Sequence, residues 1–164
     1  MILVIVGMTR AGFSRLISMI DTLAEGNVVR DVYAQIGASS YEPRHCRYAR
    51  FIPRPDLELL IERADFTICH AGVGSVSMCL AARKKTIVVP RIWQTGETVD
   101  GHQEQLAAYL QRTKRSVVAE NITQLEAAIR QIGSFQPVFK ETTDRKILDV
   151  LSKYIEATGL HVAG

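Results

Sequence analysis

Short runs of apolar, often β-branched residues alternate along this chain with segments whose apolar positions recur at helical spacing. The first run, residues 2–6, is continuous, which is typical of a strand buried on both faces of a parallel sheet. An amphipathic helix is predicted next, after a loop over residues 7–12. Its apolar positions lie three or four residues apart: Phe13, Leu16, Ile17, Ile20 and Leu23. Together these segments form a first βα unit.

The same alternation continues to the end of the sequence. Further strands are predicted over residues 28–36, 48–52, 66–69, 86–89 and 116–119. Helices are predicted over residues 56–63, 75–83, 101–112 and 122–132. A terminal amphipathic helix over residues 143–158 either packs on its own core or docks to a partner.

Regular alternation of strands and helices predicts an α/β fold, in which a Rossmann-like parallel sheet carries helices on both faces. A length of 164 residues, of which 47% are hydrophobic, suits a single domain over residues 1–164. Ligands of such sheets bind at the carboxyl ends of the strands. We therefore expect the functional residues in the loops that follow the strands.

Composition narrows the class of protein further. No apolar stretch reaches the roughly eighteen residues of a membrane span, so we expect a cytoplasmic protein. The three cysteines are odd in number and unpatterned, which indicates reduced thiols and not disulfides or zinc ligands. A net charge of +3 suits an anionic ligand or an anionic membrane surface, and we expect no nucleic-acid partner.

Candidate chemistry is concentrated directly after the predicted strand 66–69. His70 ends this strand, and a glycine-containing turn leads from it into a helix: Gly72, Val73, Gly74 and Ser75. Free backbone N–H groups and the helix dipole favour a phosphate at such a helix N-terminus. We expect the glycines to supply positive φ or close approach of a ligand, Ser75 to cap the helix or bind a phosphate oxygen, and His70 to donate a hydrogen bond.

A purely structural turn is the alternative for this segment, because many α/β proteins carry glycines there without a ligand. The dinucleotide-binding pattern Gly-x-Gly-x-x-Gly is not completed, since its last position is Ser77. NAD is therefore not the expected ligand.

Motifs from one end of the chain to the other carry a resemblance to a known family. They are residues 4–9 with 13–16, residues 35–37, residues 64–65 leading into 70–75, and residues 87–91 followed by 96–97 and 102–103. The whole chain resembles the glycosyltransferase family 28 C-terminal domain in its stand-alone form. It is similar to bacterial exopolysaccharide glucuronosyl- or glucosyltransferase subunits and to the soluble subunit of the dolichol-pathway N-acetylglucosaminyltransferase.

This resemblance implies a fold and a reaction. The fold is the C-terminal, donor-binding half of a two-lobed GT-B glycosyltransferase. The reaction moves a sugar from a UDP-sugar to a polyprenyl-diphosphate-linked acceptor in surface polysaccharide synthesis, with inversion and without a metal or cofactor. The other half is expected to be a separate, membrane-associated acceptor-binding subunit, which brings this chain to the cytoplasmic membrane face and supplies the general base.

The resemblance also implies residue roles. His70 and the backbone of residues 72–75 would hold the UDP diphosphate, and His102 and Gln103 would bind hydroxyls of the sugar. The alternative for His102 and Gln103 is a solvated helix N-terminus.

Five further residues are candidates for the cleft: Gly7, Thr9, Gln35, Arg91 and Glu97. Arg91 would meet a phosphate or a uronic acid carboxylate. The alternatives are a turn residue for Gly7, an end-of-strand cap for Gln35 and an exposed loop charge for Arg91.

Two departures from the family pattern keep other functions open. Met78 stands where many relatives carry a glutamate that grips the ribose, and Gly101 stands where an acidic residue or asparagine is usual, with Asp100 one place earlier. A non-catalytic nucleotide-sugar-binding or regulatory module of the same fold is therefore the alternative. A nucleotide-sugar epimerase is a third hypothesis, and such enzymes normally need both lobes in one chain.

Overall fold

The computed structural model describes residues 1–139, and the predicted terminal helix over 143–158 lies outside them. The strands are β1 (Ile2–Ile5), β2 (Val32–Gln35), β3 (Arg47–Ala49), β4 (Phe66–His70), β5 (Thr86–Val89) and β6 (Val117–Val118). The helices are α1 (Ser14–Glu25), α2 (Arg54–Arg63), α3 (Val73–Ala81), α4 (His102–Arg112) and α5 (Ile122–Gln131). A single 3₁₀ turn, Trp93–Thr95, lies between β5 and α4.

All six strands run parallel in one sheet, in the order β3-β2-β1-β4-β5-β6. β1 lies at the centre, with Ile5 opposite Gln35 of β2 on one side and Cys69 of β4 on the other. The strand order reverses between β1 and β4, and ligands of doubly wound sheets bind at this point, outside the carboxyl ends of the strands. Of the two strands that flank this point, β1 is followed by Gly7 in the next loop, and β4 ends at His70.

Helices cover both faces of the sheet and enclose two hydrophobic clusters. Val4 and Ile68 point to the face covered by α1 and α5, while the neighbouring Leu3 and Cys69 point to the face covered by α2, α3 and α4. The central strands are therefore buried on both sides, which explains why they read as continuous apolar runs. The predicted fold class is confirmed.

Several element bounds differ from the predicted ones. β2 begins at Val32 and not at residue 28, because Asn27 and Asp31 have φ values of 57° and 52° and form a turn. β3 covers only residues 47–49, so Phe51 lies in the loop that follows it. α3 begins at Val73, two residues before the predicted start. Within residues 1–139, no helix is both long and apolar enough to cross a membrane.

Candidate functional site

The His70 imidazole is enclosed between two glycines at the point where the strand order reverses. His70 is only 5% exposed. A Cβ added at Gly7 would lie 2.6 Å from His70 Cε1, and a Cβ added at Gly72 would lie 2.0 Å from His70 Nε2. Gly7 also has a φ of 84°, which side chains rarely tolerate. The ring therefore occupies space that exists because both neighbours lack a side chain.

His70 is electrically neutral at physiological pH. Its pKa is lowered to about 4, mainly by burial and also by the nearby positive charge of Arg91, while the backbone of Ile5 opposes the shift. No partner with normal hydrogen-bond geometry faces Nδ1, which is buried. A neutral imidazole carries one donor and one acceptor. His70 can thus donate a hydrogen bond to an anion, but it adds no charge.

The N-terminus of α3 opens beside His70. The first helical hydrogen bond runs from Val76 N–H to the Gly72 carbonyl, 3.0 Å apart, so the N–H groups of residues 73–75 precede the helical ladder. No side chain of residues 1–139 caps this end. Gly74 is exposed, and a Cβ added there would meet no atom within 4 Å. The helix end therefore offers backbone donors and open space to an anion.

The roles expected of the turn residues need two corrections. Neither Gly72 nor Gly74 has a positive φ, so positive φ is not the reason for glycine at these positions. Gly72 is required because a Cβ would collide with His70. Ser75 does not cap α3, because it lies inside the first turn of the helix and is buried.

Arg91 lies under the loop that follows β1. The residue is 2% exposed, and its Nη2 donates hydrogen bonds to the carbonyls of Val6 and Ala11, at 3.0 and 3.1 Å. The guanidinium carbon lies 5.0 Å from the centre of the Phe13 ring. Burial lowers the pKa of Arg91, and Glu97 opposes this shift. The expected alternative of an exposed loop charge is therefore wrong, because the charged end is buried and holds backbone carbonyls.

Glu97 braces the long loop between β5 and α4. It accepts two hydrogen bonds from Arg15, Nε to Oε1 at 2.7 Å and Nη2 to Oε2 at 2.9 Å, and a third from Ile92 N–H at 2.9 Å. Burial raises the pKa of Glu97, but the hydrogen bonds from Arg15 and Ile92 outweigh it, so the pKa lies below its usual value. Arg15, which the sequence did not mark as functional, thus ties this loop to α1.

His102 and Gln103 both have partners at the start of α4. Asp100 accepts a hydrogen bond from His102 N–H at 3.0 Å, and its Oδ2 lies 2.9 Å from His102 Nδ1. Gln103 Oε1 accepts a hydrogen bond from Arg91 N–H at 3.2 Å. Both residues are half-buried, so this end of α4 is not a simple solvated helix N-terminus. Asp100, the acidic residue that the sequence places just before Gly101, is thus a partner of His102.

The remaining candidates separate into inner and outer positions. Gln35 ends β2 and is 0% exposed, and neither atom of its side-chain amide has a hydrogen-bond partner. Thr9 is exposed in the loop after β1 and donates to the Ala11 carbonyl at 3.2 Å. The structure thus brings His70, Gly7 and the α3 N-terminus together, while Gln35 lies inside the core. Residues 1–139 contain no cluster of three metal-ligating side chains.

Comparison with known proteins places this arrangement in a family. The model of the glycosyltransferase family 28 C-terminal domain matches residues 1–155. A search of the curated proteins by sequence gives no match.

Solved glycosyltransferases have similar folds. The calicheamicin glycosyltransferase CalG4 is 15% identical, with a TM-score of 0.61, and the match covers 99% of this chain and 43% of that protein. MurG from Acinetobacter baumannii is 19% identical, with a TM-score of 0.52 and coverages of 92% and 49%. This chain therefore spans less than half of either protein.

The solution structure of ALG13 differs from these two in its extent. It is 19% identical, with a TM-score of 0.60, and the match covers 90% of this chain and 94% of ALG13. A single lobe of this size therefore accounts for nearly all of that structure.

Proposed function

Because this chain belongs to the glycosyltransferase family 28 C-terminal domain family and has the fold of the GT-B C-terminal lobe, we propose that it is the donor-binding subunit of a two-component glycosyltransferase. It binds a UDP-sugar, and a membrane-associated partner binds a polyprenyl-diphosphate-linked acceptor at the cytoplasmic membrane face. The product is a lipid-linked precursor of a surface polysaccharide.

The observation that carries this proposal is the uncapped N-terminus of α3 at the reversal of the strand order. The N–H groups of residues 73–75 and the neutral His70 imidazole supply uncharged donors beside an exposed glycine. Such donors stabilise the negative charge that grows on a departing diphosphate. A helix dipole and fixed N–H groups perform this task without a divalent metal, so we expect metal-independent transfer.

In the proposed reaction, the acceptor hydroxyl oxygen attacks the anomeric carbon of the sugar. The bond from this carbon to the β-phosphate oxygen breaks, and UDP leaves with the electron pair, so the configuration inverts. The hydroxyl proton passes to a general base, which we assign to the partner subunit. His102 and Gln103 would orient the sugar, because their helix N-terminus is fixed to the end of β5 through the backbone of Arg91.

Exposed apolar side chains around the site support the need for a partner. Met8 follows β1, Phe51 follows β3, and Trp93 and Val99 follow β5, so all four lie in connections that leave the carboxyl ends of the strands. Apolar side chains gathered at one edge favour a protein interface. A second lobe that covers this edge would also exclude water from the reacting atoms.

Titration of the chain with UDP, followed by calorimetry, tests the donor site directly. We expect UDP to bind and His70→Ala to weaken binding roughly 10- to 100-fold, the equivalent of one hydrogen bond to a charged group. Transfer to a polyprenyl-linked acceptor should require co-expression of the partner. Transfer by the purified chain in its absence would contradict the two-component proposal.

A non-catalytic module of the same fold is the second candidate. Met78 of α3 supports it, because this side chain packs partly against the core and brings no carboxylate to a ribose. A regulatory module that has lost donor recognition would not bind UDP, so the same calorimetric titration separates it from the first candidate. A nucleotide-sugar-binding module would bind UDP but would give no transfer when the partner is co-expressed.

A further inference from the structure

Arg91 contacts two elements of the candidate site, the loop after β1 and the start of α4. Its Nη2 bonds the Val6 carbonyl, at the end of β1, and the Ala11 carbonyl, at the far end of the next loop. One guanidinium nitrogen thus holds both ends of the segment that these two residues bound, residues 6–11. Gly7, which encloses the His70 ring from one side, belongs to this segment.

The buried position of the Arg91 guanidinium costs free energy. Burying a guanidinium removes its hydration, and Arg91 has no bidentate carboxylate partner to offset the loss, since Glu97 is bonded to Arg15. Arg91 Nε is also buried without a hydrogen-bond partner. Stacking on the Phe13 ring recovers a part of the cost.

We propose that Arg91 is a positioning residue of the donor site, whose guanidinium fixes the loop of residues 7–11 so that Gly7 holds the His70 imidazole beside the N-terminus of α3. The identity of the ligand rests on the proposed function above. The positioning itself rests on the contacts of Arg91. The Arg91 backbone N–H, bonded to Gln103, extends the same support to the start of α4.

Geometry explains why arginine is required here. A planar guanidinium offers five donors in a fixed fork and stacks on an aromatic ring, whereas a lysine ammonium is a compact point charge. Lysine at this position would keep the positive charge and a nitrogen donor, but it has no planar group that stacks on Phe13 while the nitrogen bonds the two carbonyls. The charge and the planar stacking group can therefore be separated by mutation.

The test compares Arg91→Met and Arg91→Lys with a matched control, Arg115→Met. Arg115 is also buried, but it precedes β6. It therefore lies at the amino ends of the parallel strands, whereas the candidate site lies at their carboxyl ends. The measurements are the UDP dissociation constant, amide hydrogen exchange of residues 7–12 without ligand, and the His70 pKa by NMR titration.

We expect both Arg91 variants to lose about tenfold or more in UDP affinity and to exchange the loop amides faster, since a misplaced site binds poorly. Arg115→Met should change neither measurement beyond about twofold. In Arg91→Met the pKa of His70 should rise above about 4, because a nearby positive charge is removed. In Arg91→Lys it should rise less.

The inference would be overturned if a folded Arg91 variant had the amide exchange rates of wild type in residues 7–12 and the His70 pKa of wild type. An equal loss of UDP affinity in Arg115→Met would also overturn it, since the loss would then reflect general destabilisation. If the wild-type chain binds no UDP, the proposed function fails. The inference about Arg91 is then still decided by loop exchange and by the His70 titration, both measured without ligand.

Discussion

His70 and Gly72 are packed so closely that a side chain at residue 72 has no room: a Cβ there would lie 2.0 Å from His70 Nε2. The backbone of Gly72, with φ −87° and ψ 133°, is one that alanine adopts easily. Any cost of Gly72→Ala therefore comes from the collision with the imidazole and not from the backbone.

This relationship predicts a dependence between two mutations. Gly72→Ala should lower the free energy of unfolding by about 1–3 kcal/mol, because the His70 ring must leave its place. In a His70→Ala background the same change should cost much less, since the colliding atoms are gone. Chemical denaturation of the four proteins of this cycle measures the coupling. Additive effects would mean that the two residues are not in contact.

The open space around Gly74 predicts that, unlike Gly72→Ala, a substitution there affects ligand binding and not stability. A Cβ there meets nothing within 4 Å, so Gly74→Val should leave the free energy of unfolding nearly unchanged while it obstructs the space beside the α3 N-terminus. UDP affinity should fall about tenfold or more. Gly133→Val is the matched control, because residue 133 is equally open but follows α5. If folded Gly74→Val bound UDP as tightly as wild type, the conclusion would be that the diphosphate does not bind at this end of α3.

His70 predicts a loss of stability in mild acid. The unfolded chain takes up this proton near pH 6.5 and the folded chain near pH 4, so between these values the unfolded state binds more protons. The contribution of His70 to stability is complete above pH 6.5 and is lost as the pH falls to 4, by about 3 kcal/mol. His70→Gln, which does not titrate, should flatten this part of the curve of unfolding free energy against pH. An identical slope in wild type and variant would contradict the buried neutral state.

The Asp21 carboxylate affects the stability of the protein at a lower pH than His70 does. Its carboxylate is buried in α1 and accepts hydrogen bonds from the Tyr41 hydroxyl at 2.8 Å and from the N–H groups of Arg44 and His45 at 3.0 and 2.7 Å. Burial raises the pKa of Asp21, but these hydrogen bonds outweigh it and leave the pKa below its usual value of 3.8. The carboxylate thus fixes the loop between β2 and β3.

Asp21→Asn should therefore destabilise the protein by about 2 kcal/mol at neutral pH, because an amide is a weaker acceptor and brings a donor where N–H groups already point. This difference is present above pH 3.8 and should shrink as the pH falls through the lower folded pKa. Asp31→Asn is the control, since solvent screens the ion pairs of this exposed carboxylate. Equal effects of the two changes would show that the Asp21 hydrogen bonds contribute little.

The sequence predicted the sheet because its strands are buried on both faces, so that apolar residues run without interruption, as in β5, where the predicted bounds hold. It failed at the start of β2. There Val28 and Val29 are apolar and β-branched, but the left-handed Asn27 and Asp31 bend the backbone into a turn. Val29 is buried from within that turn. An apolar residue indicates burial, but a buried residue need not lie in a strand.

The candidate site was predictable where it follows the chain and not where it depends on distant partners. His70 and the glycine turn are consecutive, so their order already indicates a strand, a turn and a helix start. Arg91 reaches Val6 and Ala11, about eighty residues earlier, and no local pattern separates such an arginine from one in solvent. The same holds for Arg15 and Glu97, which pair across 82 positions.

The central place of β1 also determines the order in which this chain can fold. Its partners are β2 and, on its other side, β4, which is more than sixty residues away. During synthesis, β1 therefore has one unpaired apolar edge until β4 has left the ribosome. Closing such a long loop before its contacts form is slow, and an exposed edge strand pairs readily with other chains. The residues that flank the candidate site are thus joined late, in the step during which a nascent chain is most prone to aggregate.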